Sequence, residues 1–164
     1  MNLSQLKIGA ASLLPAVATM LFIQACGGGG DAVAQSTGEP IEGVWEAAVT
    51  QRDCTTNAAL ANFRGAHVFH RGGTLTDTNA APTASRGPGF GTWSRTGSDT
   101  YVTKFRFNRY LADGTFAGTQ IVNRTVTLSA DGNSVAGVSQ TLLLDPAGAT
   151  VGQGCASDAA TRFH

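Results

Sequence analysis

Thr100-Tyr101-Val102-Thr103-Lys104-Phe105-Arg106-Phe107-Asn108-Arg109-Tyr110-Leu111 alternates with a period of two. Tyr101, Thr103, Phe105, Phe107 and Leu111 fall on one face; Val102, Lys104, Arg106, Asn108 and Tyr110 fall on the other. Successive side chains of a strand point to opposite sides, so this pattern predicts a strand with one dry and one wet face. The aromatic face goes inward, because aromatic rings bury much apolar area while Lys104 and Arg106 keep their charges in water. One dry face and one wet face is the pattern of an antiparallel sheet. Ala112-Asp113-Gly114 follows at once, and an Asp-Gly pair between alternating runs is the strongest short-range hairpin signal.

The same grammar extends both ways. Downstream, the run 115–129 is closed by Ala130-Asp131-Gly132-Asn133, and the run 134–144 by Asp145-Pro146-Ala147-Gly148. A last run covers 149–163, with a break expected near Gly154. Upstream, strands are expected at 43–50, 65–70, 74–78 and 89–95, with a proline-bearing loop over 79–88 and a turn or two of helix around 56–62. The segments from 89 onward read as a meander in which each strand pairs with the next. The fold class expected is all-β, with about eight short antiparallel strands.

Composition agrees and excludes some functions. The chain has 164 residues, enough for one domain, and 21 glycines suit tight turns. Its 11 basic and 11 acidic residues balance and are scattered, which argues against an electrostatic nucleic-acid binder. The domain is expected to be a monomer.

The first 25 residues read as an export segment. Lys7 supplies a short charged start, and an apolar run over 8–23 follows, interrupted by Pro15. That run is too short for a comfortable membrane span. It ends Leu21-Phe22-Ile23-Gln24-Ala25-Cys26, which resembles the lipobox of bacterial lipoproteins: an aliphatic residue three before the Cys and a small residue just before it. The resemblance implies cleavage after Ala25, diacylglycerol on the Cys26 thiol and acylation of the freed amine. The chain would then be anchored in the cell envelope by its lipid. By the same resemblance, Gly27 after the Cys implies sorting to the outer membrane, facing the periplasm or the exterior. Residues 26–40, rich in glycine and small polar residues, read as a flexible linker. Residues 41–164 read as the folded domain.

Export to an oxidising compartment, with Cys26 carrying lipid, leaves Cys54 and Cys155 to form a disulfide. Trp45 lies near the start of the first strand and Arg162 near the end of the last. The pairs Cys54/Cys155 and Trp45/Arg162 differ by only two in the sum of their residue numbers. One antiparallel register between the first and last strands therefore serves both, and adjacency of those strands closes an even-stranded sheet into a barrel. Gly43-Val44-Trp45 resembles the first-strand G-x-W motif of the lipocalins and their calycin relatives, and Arg162 stands where that family places a late Arg over the Trp. The resemblance implies an up-and-down, calycin-like barrel of eight strands, closed structurally by Trp45 and Arg162; it concerns architecture and names no ligand.

Chemistry is sparse. Asp77, Asp99, Asp113, Asp131, Asp145 and Asp158 all lie at or beside expected turns, where Asp bonds its own backbone, so no inward carboxylate pair is expected. His67 and His70 are three apart on one strand and point to opposite faces, so they cannot chelate one ion together. No nucleophile elbow, phosphate loop or paired-cysteine motif is present, so no catalytic residue, metal site or cofactor is expected. Arg124 shares parity with Val122, Val126 and Leu128, and Arg109 with Phe105, Phe107 and Leu111. A buried Arg is costly unless paired. If inward, Arg124 would partner an anionic or polar group among aromatics, and the expected lining is Tyr101, Phe105, Phe107, Val122 and Arg124. The functional expectation is a small, mostly apolar ligand held in the barrel. A barrel filled with side chains and serving an envelope partner, or a barrel isomerase like the allene oxide cyclases, are the alternatives.

Overall fold

The computed structural model describes residues 38–81 and 84–164. The export segment, Cys26 and most of the linker lie outside the described residues. Eight strands follow one another: β1 (Gly43–Arg52), β2 (Ala59–His70), β3 (Thr74–Asn79), β4 (Gly89–Arg95), β5 (Thr100–Tyr110), β6 (Phe116–Leu128), β7 (Ser134–Leu144) and β8 (Thr150–Arg162). Each pairs antiparallel with the next, and β8 pairs with β1, so the sheet is a closed up-and-down barrel.

The seam between β1 and β8 runs from Trp45 opposite Arg162 to Arg52 opposite Cys155 in one unbroken register. Cys54 lies just past the end of β1 and is bonded to Cys155, with Cα atoms 5.2 Å apart. The Arg162 guanidinium sits 4.3 Å from the centre of the Trp45 ring. It also donates to the carbonyls of Gly132 (3.0 Å), Glu42 (2.7 Å) and Pro40 (2.5 Å). The Trp45 indole N–H donates to Ile41 O at 2.8 Å. One cation therefore ties the strap before β1, the β6–β7 turn and the buried indole into a plug across one end of the barrel.

The turns follow the expected chemistry. Asp113 Oδ1 accepts from the Thr115 N–H, and Asp131 Oδ1 from the Asn133 N–H. Gly114 and Gly132 take the left-handed conformation (φ 83° and 72°) that such turns demand. The segment expected to be helical around 56–62 is not helical. Asp53 caps a turn by accepting from Thr55 and Thr56, Asn57 adopts φ 58°, and Ala59, Ala61 and Asn62 pair with β1 opposite Arg52, Gln51 and Thr50. Pairing along β1 overrides the local helix preference of an Ala-Leu-Ala run. The break expected near Gly154 is also absent: β8 runs through it, and the irregularity of the β7–β8 pair lies at Leu143/Leu144.

Strand stagger sets the interior. Following paired residues once round from Gly43, through Phe69, Leu75, Gly91, Phe105, Val122 and Thr141, the path reaches Gly154, next to the Cys155 that pairs with Arg52 at the far end of β1, an offset of about ten residues. Eight strands with that shear tilt by about 40° and leave an interior that side chains can just fill. Around the plug they do fill it: Ile41, Trp45, Phe69, Leu75, Tyr101 and Val126 are the largest fully buried side chains. Phe69, Trp93 and Tyr101 meet edge to face, with ring centres 6.0 and 5.9 Å apart.

Arg162→Ala is expected to destabilise the domain by about 2–4 kcal/mol in urea unfolding, combining the lost cation–π contact with orphaned carbonyls. Arg162→Lys should restore less than half. Stability should also fall at both pH extremes. Backbone and hydroxyl donors hold the carboxyls of Asp53, Asp113 and Asp131 below their ordinary value of 3.8. Their contribution is present above that value and is lost as pH falls through the folded-state values. Burial, opposed by the nearby Arg95, pushes the Tyr101 phenol above 10.0. Its contribution is present below pH 10.0 and is lost as pH rises through the raised value. Asp131→Asn should flatten the acid limb and Tyr101→Phe the alkaline one in pH-dependent thermal melts.

Candidate functional site

The other half of the barrel is hollow. A cavity of about 560 Å³ opens toward the end that carries the disulfide and the β1–β2 turn. Phe63, Phe105, Phe107, Val49 and Val122 form apolar wall, and charged side chains lie among them. Of the residues expected to line a site, Phe105, Phe107, Val122 and Arg124 are there. Tyr101 is not: it lies in the packed half against Trp93, with its hydroxyl 3.4 Å from Glu39. Arg109 sits at the strand irregularity near the mouth and donates to the carbonyls of Ala117 and Leu144.

Arg124 points inward and is 4% exposed. Its partner is Asp158, which accepts from Nε at 2.8 Å and from Nη2. The two side chains stand on β6 and β8 and meet across β7 at Gly137. A Cβ there would strike the Asp158 carboxylate and come within 2.8 Å of Arg124 Nε. Glycine at 137 is therefore the space in which this ion pair forms.

A second cluster faces it. His67 on β2 and Asp77 on β3 are register partners and both are buried. His67 Nδ1 lies 3.0 Å from Asp77 Oδ2, but off the line of a hydrogen bond. Arg86, from the loop before β4, bonds the other oxygen of Asp77 and lays its guanidinium 3.8 Å from the centre of the Phe107 ring. The stagger raises each successive strand, so His67 and Asp77 stand level with Arg124 and Asp158 on the opposite wall. The two clusters make a charged floor between the packed half and the apolar walls.

Asp77 and Asp158 correct the expectation that the aspartates belong to turns. Both lie within strands and face inward, because the Arg and His residues beside them make burial tolerable. Asp158 was legible in part: the register that pairs Trp45 with Arg162 puts Asp158 opposite Val49, on the inward side. His67 shares parity with Phe69, and Asp77 with Leu75, but polar residues on those short runs carry no signal of their own.

Hydrogen bonding on the floor is lopsided. Both Asp158 oxygens accept from Arg124, and the Asp77 oxygens are flanked by Arg86 and His67. Arg124 Nη1, Arg86 Nε, His67 Nε2 and Thr103 Oγ1 are buried without a hydrogen-bond partner among the described residues. Each such group costs about 1–3 kcal/mol unless something meets it. Among the described residues no group of three His, Cys, Asp or Glu side chains is placed to hold a metal ion.

Asp158→Asn should destabilise the domain by about 3–5 kcal/mol, because it leaves the Arg124 charge buried and uncompensated. The double replacement Arg124→Met with Asp158→Leu should recover most of that in the same unfolding assay. Gly137→Ala should fall between them.

No protein-family model matches the chain, and no curated protein or solved structure matches it either.

Proposed function

We propose that this chain is a lipid-anchored envelope protein whose barrel binds a small amphipathic molecule. The single observation that carries the binding reading is the hollow half of an otherwise packed barrel, with aromatic walls above a charged floor. A cavity of about 560 Å³ is in the range of small-molecule sites, which combine apolar lining with a few convergent polar groups. The mixed lining favours a ligand with an apolar body and one polar end over a wholly apolar one. The anchor rests on the sequence before the barrel: Cys26 at the close of an apolar run, in an order similar to the lipobox. The closed barrel and the Arg162–Trp45 contact are compatible with a calycin-like domain, and the small-molecule role fits that likeness.

Titration with the neutral fluorophore N-phenyl-1-naphthylamine tests the cavity. Saturable binding at one site per chain is expected. Thr141 faces the cavity from β7, and Thr141→Phe should weaken binding by about tenfold or more, roughly 1.4 kcal/mol, by filling the space. An absent signal, or equal affinity in the variant, would remove the cavity from the account. Metabolic labelling with palmitate tests the anchor: Cys26→Ser should lose the label and move the protein from the membrane fraction to the soluble one.

A further inference from the structure

The floor of the cavity has its acceptors engaged and its donors in surplus, and this decides what it can hold. Building on the binding reading above, we propose that the floor takes the carboxylate end of a small aromatic acid together with one proton, which resides on His67.

The donors come first. Arg124 Nη1, Arg86 Nε and both ring nitrogens of His67 are buried without hydrogen-bond partners among the described residues, while both Asp158 oxygens and Oδ1 of Asp77 accept from arginines and Oδ2 of Asp77 faces His67. A cationic ligand end would have to compete with Arg86 and Arg124 for the floor carboxylates, whereas an acceptor end would meet unpartnered donors.

Charge balance supplies the proton. Arg86 and Arg124 are offset by Asp77 and Asp158. A carboxylate added to this floor brings an uncompensated negative charge into a buried site, which is unfavourable unless a positive charge comes with it. The groups facing His67 are Trp45 from β1, Asp77 from β3 with Arg86 behind it, and the Phe105 ring from β5, its centre 6.3 Å away. Arg124 and Asp158 stand on the far wall. Of these, His67 is the side chain that can accept a proton on a ring nitrogen, and Asp77, 3.0 Å from Nδ1, is placed to stabilise the charge. The body of the ligand is set by Phe63, Phe105 and Phe107 between floor and mouth, which favour an aromatic ring by stacking or edge contact.

Isothermal titration of the full chain with trans-cinnamate and its neutral isostere trans-cinnamamide tests this, each run in buffers of different ionisation enthalpy. The acid should bind at least about tenfold more tightly than the amide, and the buffer dependence should report close to one proton taken up with the acid and none with the amide. His67→Gln should abolish the proton uptake and most of the preference for the acid. Amide binding as tight as acid binding overturns the proposal, and so does acid binding without proton uptake. If neither probe binds while N-phenyl-1-naphthylamine still does, the carboxylate assignment fails and the cavity reading survives. If all three fail, the cavity reading falls first. Should His67→Gln not fold, the proton count on the unaltered chain decides alone.

Discussion

Everything in this barrel depends on the seam between its first and last strands. A sheet of eight strands left open would present two unpaired edges and a half-buried interior. Here β1 and β8 pair along their whole shared length, and two locks hold the ends of that pairing. At one end the Arg162 guanidinium covers the buried Trp45 ring and gathers three carbonyls. At the other the disulfide clamps Cys54 to Cys155. The locks differ in character: one is a plug that excludes water, the other a tie across an open rim. The packed half of the interior lies beside the first and the hollow half beside the second.

That division explains how a small barrel can be stable and still contain space. The shear leaves an interior that large side chains can fill, and around Trp45 they do, with Phe69, Trp93 and Tyr101 edge to face. Toward the disulfide, residues that would complete the filling are small: Gly65, Gly154 and Ala156 stand on the cavity wall. Between the halves lies a layer of buried charge. Replacing such ion pairs by apolar groups is often neutral or stabilising, so their presence is not explained by stability alone. Its unpartnered donors are the feature on which the proposed binding role rests.

The strands were legible because the chain states them twice, once as alternation and once as turn chemistry. The run from Thr100 to Leu111 gave a face assignment that the structure repeats residue for residue at Tyr101, Thr103, Phe105 and Phe107. The Asp-Gly turns marked the hairpins. Closure was legible because two long-range pairs share one register. The segment 56–62 was misread because Ala and Leu favour helix locally and only the partner strand says otherwise. The floor was mostly hidden for a related reason. Asp77 and Asp158 look like turn residues until the positions of Arg86 and Arg124 are known, and those partners come from distant strands. Tyr101 was placed on the correct face but in the wrong half, because parity gives the side of a sheet and not the depth within a barrel.

The chain enters β1 and leaves β8 at the same pole, the one sealed by Trp45 and Arg162. The rim with the disulfide is the opposite pole. Both ends of the strand run therefore emerge beside the sealed base, and neither crosses the rim that carries the disulfide. The hollow half thus opens away from the strands that hold the base shut.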